Sequence, residues 1–224
     1  MTSLHLHRLE PASPATPVDS LVILLHGYGA DGRDLIDLGH AWRGALPNAA
    51  FVAPDAPAPC EMGGSGFQWW SIADGLDPRL SLPRADALRD MIHNLVETER
   101  TRYGVATGRV ALAGFSQGGM LALHAGLRLP HTLAGVISYS GLLLDPMLTN
   151  ATRPTPPVLM AHGAMDTIVP FVFLDAGVTA LQQHGVSVER LARPLMGHSI
   201  DVECLTAGGA FLAKHLAAPP KAAA

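Results

Sequence analysis

Short apolar runs alternate along the chain with longer segments in which apolar residues return every three or four positions. Residues 21–25 form an uninterrupted apolar run, as expected of a central parallel strand covered by helices on both faces. Further strands are expected at 50–53, 110–113, 133–139, 156–161 and 186–191. Residues 4–9 instead alternate apolar and polar positions, the pattern of a half-buried strand. Helical spacing is carried by Leu35, Leu38, Trp42 and Leu46 within 31–46, and by Leu88, Met91, Ile92, Leu95 and Val96 within 85–103. Residues 120–129, 170–184 and 200–216 read as further helices. Strands and helices in this alternation predict an α/β fold with a mainly parallel sheet and helices on both faces. No linker or repeat divides it, so residues 1–224 are expected to form one domain, with 217–224 as a frayed Ala/Pro-rich tail.

Between 54 and 83 the pattern breaks down into a stretch rich in Pro, Gly and Met, and a long loop is expected there. Loops of that length in compact domains are functional or disordered, and the adjacent Trp69 and Trp70 argue against disorder. They serve either as a pocket wall or as a staple holding the loop to the core.

The densest chemical signal is Gly114-Phe115-Ser116-Gln117-Gly118, set between the strand at 110–113 and the helix at 120–129. Strand, turn and helix around G-x-S-x-G predict a nucleophile elbow, with the Ser presented at a strained turn and small residues two positions away on either side. A Ser hydroxyl attacks only when a base takes its proton, and that base needs an acid to fix its tautomer. In this fold class the partners follow in the order Ser, Asp, His, in loops after later strands. Asp166 and His198 meet that order. Asp145 and Asp175 are weaker acids by position, since one follows the strand directly after the elbow helix and the other lies inside a predicted helix. His162 fits better as part of the turn placing Asp166, while His124 and His184 fit surface or packing roles. The oxyanion of acyl transfer needs prearranged donors. One is expected from the Gln117 backbone N–H and a second from the glycine-containing loop 27–29, which follows the strand at 21–25.

Composition narrows the partners. A formal net charge of −4, with 15% charged residues and no Lys/Arg cluster, offers no stripe for a phosphate backbone, so no nucleic acid is expected. Cys60 and Cys204 lie far apart without zinc-ligand spacing and are expected to be reduced thiols. His5 and His7 suggest a metal pair, but no third donor lies at ligand spacing, and they are read as an exposed strand face. No metal and no cofactor are expected. The N-terminus lacks the pattern of a secretory signal, and no apolar run reaches spanning length; a cytoplasmic protein without integral membrane association is expected.

Taken together, Leu25-His26-Gly27-Tyr28-Gly29, the elbow with Gly119, the run from His162 to Pro170, and Met196-Gly197-His198 resemble the phospholipase/carboxylesterase family, which includes acyl-protein thioesterases. The likeness covers nearly the whole chain. It implies an α/β-hydrolase fold, a Ser116, Asp166 and His198 triad, an oxyanion hole from the backbone N–H groups of Tyr28 and Gln117, and no cofactor. Residues 68–72 are similar to the family's Trp-containing loop, with Ser71 where the thioesterase branch carries Asp, so the closer likeness is to bacterial small-ester carboxylesterases. Trp69, Trp70, Leu142, Leu143, Leu144 and Ile168, in loops beyond strand ends, are candidate walls of the substrate pocket. The expected activity is hydrolysis of small-molecule carboxylic esters, extending to lysophospholipids, through an acyl-enzyme. An acyl-protein thioesterase and a catalytically silent hydrolase-fold binding protein are the rivals. An apolar rim around the site is compatible with a homodimer.

Overall fold

The computed structural model describes residues 4–11, 16–75 and 77–217. Its centre is a seven-stranded sheet made of β1 (Leu6–Leu9), β2 (Ser20–Leu25), β3 (Ala49–Pro54), β6 (Val110–Phe115), β7 (Gly135–Tyr139), β8 (Val158–Gly163) and β9 (Val188–Arg193). Two short strands, β4 (Ala58–Pro59) and β5 (Phe67–Gln68), pair with each other outside it. The order is β1-β3-β2-β6-β7-β8-β9, and every neighbouring pair is parallel except β1 with β3. Successive side chains of a strand face opposite sides, so a strand covered twice must be apolar throughout. In β2, Leu21, Ile23 and Leu25 enter one core, and Val22 and Leu24 the other.

The helices α1 (Gly32–Trp42), α2 (Pro78–Tyr103), α3 (Gln117–Gly126), α4 (Val172–Gln183) and α5 (Val202–His215) form the two covering layers. Ile92, Leu121, Leu174 and Val178 place α2, α3 and α4 in the core of one face; Leu35, Trp42, Phe211 and Leu212 place α1 and α5 in that of the other. Asp31 caps α1, accepting from the Arg33 and Asp34 N–H groups while Asp34 reaches back to the Asp31 N–H. That reciprocal pair supplies acceptors for the free donors of the first turn. Arg8 of β1 reaches the buried Glu99 of α2 through two hydrogen bonds of 2.8 Å. No helix among the described residues is long and apolar enough to cross a membrane. Both cysteines are free and buried, and burial pushes the Cys204 thiol up to about 12.

Three expectations need correction. First, the loop from 54 is shorter than its composition suggests, because α2 starts at Pro78 rather than near residue 85. Asp77 caps it through the Arg79 N–H, Pro78 occupies the first helical position, and Pro83 is accommodated inside the helix. Second, α1 ends at Trp42, four residues before Leu46. Third, His7 is not on an exposed face: it is partly buried, and only His5 is exposed. Residues 218–224 of the expected frayed tail lie outside the described residues.

Candidate active site

Chain order reverses across the sheet at β2: β3 lies on one side of it and β6 with its successors on the other. Crevices at such switch points, beyond the carboxyl ends of the strands, are where open α/β sheets bind ligands. The loops after β2 and β6 meet there. Ser116 follows β6 with φ 52° and ψ −119°, a conformation in which side-chain-bearing residues are rare and strained. Its N–H donates to the Tyr139 carbonyl at 2.8 Å, which fixes the turn. A Cβ on Gly114 would lie 2.2 Å from the Gly118 carbonyl oxygen, and one on Gly118 only 1.9 Å from that of Leu25. The tight turn therefore demands glycine at both places.

The structure brings the three expected side chains together. His198 Nε2 lies 2.9 Å from Ser116 Oγ, and His198 Nδ1 lies 2.7 Å from Asp166 Oδ2. An ionised carboxylate only accepts, so Nδ1 carries the hydrogen and the Nε2 lone pair faces the hydroxyl. Asp166 is held on its other oxygen by the N–H groups of Ile168 and Val169, both at 2.9 Å. Burial alone would push the Asp166 carboxyl up, but hydrogen bonds from His198 and from those N–H groups outweigh it and hold it below its ordinary value. His162 Nε2 donates to the Val169 carbonyl at 2.8 Å and lies 3.2 Å from Asp166 Oδ2, but it stands within β8 rather than in the turn, which it braces from the strand. Phe115 packs its ring 4.8 Å from the His198 ring, so the residue before the nucleophile supports the base.

Opposite the elbow, neither the Tyr28 nor the Gln117 backbone N–H donates to an acceptor among the described residues. Gln117 is the first residue of α3, where the N–H has no partner within its helix. The Tyr28 N–H is aimed by His26, a residue that the sequence marks only as the one preceding the loop 27–29. His26 is fully buried, and its Nε2 accepts the Ala56 N–H at 2.9 Å, so its Nδ1 is the donor to the Gly27 carbonyl at 2.7 Å. That carbonyl shares a trans peptide with the Tyr28 N–H, which must point the other way. Burial lowers the His26 pKa and favours the neutral ring that this arrangement requires.

The loop between β3 and α2 is laced to both sides of the crevice. Gly29 N–H donates to Phe67 O and Phe67 N–H to Ala30 O, each at 2.8 Å. The Gln117 side chain works like a piece of backbone: its Oε1 accepts the Trp69 N–H and its Nε2 donates to the Trp70 carbonyl, both at 2.9 Å. Trp69 Nε1 donates to the His26 carbonyl. The sequence reading missed this role of the Gln117 amide, because the elbow motif marks that position only for its main chain.

Among the candidate pocket residues, Trp69, Trp70, Leu142, Leu143 and Leu144 are buried in the core on the α3 face, and Ile168 is 54% exposed. The competing acids have other partners. Asp145 is buried against Arg128 at 2.6 Å, and Asp175 pairs with Arg190 at 2.8 Å on the surface. His124 is buried beside Asp86, and His184 ends α4.

Comparison with known proteins finds relatives of this chain. The model of the family described as Phospholipase/Carboxylesterase matches residues 7–216. An acyl-protein thioesterase 1 from Gibberella zeae is 33% identical over 224 residues, covering 89% of this chain and 91% of the relative. A protein from Oryza sativa subsp. japonica named as a carboxylesterase is 32% identical over 227 residues, covering 94% of this chain and 84% of the relative. Among solved structures, the esterase PE8 superposes with a TM-score of 0.89 at 35% identity, covering 96% of this chain and all of that one.

Proposed function

The chain belongs to the phospholipase/carboxylesterase family, and on that premise we propose that it is a serine hydrolase cleaving carboxylic esters through an acyl-enzyme, its described residues acting as one domain. The observation that carries the reading is the continuous relay from Asp166 Oδ2 through His198 to Ser116 Oγ, at 2.7 and 2.9 Å. Ser116 Oγ attacks the ester carbonyl carbon while its proton passes to His198 Nε2. Asp166, kept ionised, stabilises the imidazolium that forms. The carbonyl oxygen, now negative, is received by the Tyr28 and Gln117 N–H groups, which are oriented before substrate arrives and need no reorganisation. As the bond to the leaving alcohol breaks, His198 returns the proton to the alcohol oxygen. Water then takes the place of Ser116 Oγ as nucleophile, with the same base, and releases the acid.

The acyl group is proposed to lie against Trp69, Trp70 and the Leu142 to Leu144 segment, with Ile168 at the mouth. Met165 and Ile168 beside Asp166, and Leu195 near His198, are exposed apolar residues. They suit a hydrophobic acyl substrate or, equally, a homodimer contact. Free, buried thiols fit a reducing compartment such as the cytoplasm. Thioester cleavage is the second reading, favoured by the 33% identity to the acyl-protein thioesterase. It uses the same acyl-enzyme with a thiol as leaving group.

Fluorophosphonate labelling tests the reading directly. The chain should be labelled at Ser116, and Ser116→Ala should lose both the label and ester hydrolysis, by ~10⁴-fold or more. A variant that melts like the parent yet keeps most of its activity would overturn the assignment. Short-chain oxygen esters and acyl thioesters, compared by kcat/KM, separate the two substrate classes.

A further inference from the structure

His5, just before β1, and His7 within it stand two residues apart along the extended chain, so their side chains share a face. The sequence offers them no third donor nearby, but the antiparallel pairing of β1 with β3 supplies one. In that register His7 lies opposite Ala53 and Leu6 opposite Pro54, and the Asp55 N–H continues the ladder by donating to the His5 carbonyl at 2.9 Å. Asp55 is therefore beside both imidazoles. Its Oδ2 is 2.8 Å from His5 Nδ1, its Oδ1 is 3.0 Å from His7 Nε2, and the donor atoms of all three residues lie within 4.8 Å of one another.

We infer that His5 Nδ1, His7 Nε2 and the Asp55 carboxylate form a binding site for a divalent transition-metal ion, best suited to zinc, separate from Ser116. Two imidazole nitrogens and one carboxylate make a donor set that zinc accepts, whereas magnesium and calcium prefer oxygen alone. Ligand atoms around tetrahedral zinc are about 3.4 Å apart, given bonds of about 2.0–2.1 Å. The His–Asp pairs need to spread by about half an ångström to reach that spacing, and the widest separation, up to 4.8 Å, must close by about 1.4 Å. The carboxylate is already oriented from behind, since Asp55 Oδ1 also accepts the Gly32 N–H at 2.8 Å, the kind of outer contact that fixes a ligating group. Gly32 also makes the room, because a Cβ there would come within 2.6 Å of His7 Cδ2. No cation of β1 competes, as Arg8 is committed to Glu99. The His5 side chain is 67% exposed, which leaves an entry path and a fourth position for water.

The ion would join β1 to the base of the oxyanion loop. Gly32 lies just beyond that loop and bonds to Asp55, while the next N–H, that of Ala56, bonds to His26 at its start. The site is thus placed to stiffen the segment carrying Tyr28 without touching substrate.

The test uses the full chain without a histidine tag, stripped with chelator. Calorimetric titration with zinc should give one ion per chain, and cobalt(II) should give the visible bands of a tetrahedral nitrogen and oxygen site. His5→Ala changes an exposed side chain and leaves the folded chain available for assay. It should weaken zinc binding at least tenfold, about the least that losing even an outer-shell partner costs, and Asp55→Asn should weaken it further. The melting temperature of the parent should rise with zinc and that of His5→Ala should not. The inference is overturned if the parent binds no stoichiometric zinc, or if His5→Ala binds it as tightly as the parent, which would put the ion elsewhere.

Discussion

Replacing Asp166 by Asn should disable the relay while leaving the fold in place, and the surroundings of Asp166 dictate how. Oδ1 accepts two backbone N–H groups, that of Val169 buried and that of Ile168 partly buried. If the Asn amide nitrogen occupied that position, both N–H groups would face another donor, at a cost of about 1–3 kcal/mol each. The Asn oxygen must therefore stay there, and the NH₂ group must point at His198 Nδ1, which is then compelled to accept. The hydrogen moves to Nε2, leaving no lone pair facing Ser116 Oγ, 2.9 Å away. Wrong-tautomer substitutions of this kind cost ~10⁴-fold in kcat, or about 5.4 kcal/mol of transition-state stabilisation. The assay is steady-state hydrolysis of a short-chain chromogenic ester, with kcat and KM resolved separately and thermal melts to establish folding. KM should change little, since the lost interaction belongs to the transition state. A folded Asp166→Asn enzyme within tenfold of the parent kcat would refute the assignment of Asp166 as the acid.

Gly118→Ala should destabilise the chain by about 3 kcal/mol or more, as its Cβ meets backbone atoms of Leu25 and His26 at 1.9 and 2.4 Å. Gly108→Ala, with nothing within 4 Å, should stay within about 0.5 kcal/mol in the same urea titration, and equal losses would contradict the packing argument. Burial and the charge of Arg128 lower the His124 pKa to about 4. Because the folded value lies below the unfolded one, the associated stability is present above about pH 6.5 and is lost as pH falls from there towards 4, by at most about 3 kcal/mol. Urea melts at pH 7 and pH 4.5 should show a smaller loss for His124→Gln than for the parent; an identical loss would exclude His124 as the source. Trp69→Ala and Leu143→Ala should shift the optimum towards longer or bulkier acyl groups, with each buried methylene worth about 0.8 kcal/mol until the pocket is full. An unchanged chain-length profile in folded variants would make these residues loop anchors only.

What the sequence reveals here depends on how far the signal reaches along the chain. Strands buried on both faces and helices with one apolar stripe carry their own periodicity, so the layered parallel architecture is readable from the alternation of such segments along the chain. The Ser116, Asp166 and His198 set is readable because the order of strands fixes the order of loops, and each residue sits in a short motif. Contacts made across the sheet leave no local mark. Asp55 meets His5 and His7 from 50 and 48 positions away, through an antiparallel register that no pattern in either segment announces. The amide of Gln117 holding Trp69 and Trp70 is hidden for the same reason. Pro83 misleads in the other direction, since a proline that commonly marks a boundary is here accommodated within α2 because Asp77 and Pro78 begin the helix earlier.

The paired backbone bonds between Phe67 and the Gly29–Ala30 segment carry a consequence for how this enzyme could diversify. A loop bordering a binding crevice is ordinarily the part of a fold freest to lengthen, shorten or be exchanged. Here its main chain is also the outer support of the turn that presents Tyr28, so an insertion near Phe67 would disturb the proposed oxyanion donor along with the proposed pocket. New substrate preferences are therefore more accessible through side-chain replacement on a loop of fixed length. A graft of this loop from a relative would need its matching glycine turn transferred with it.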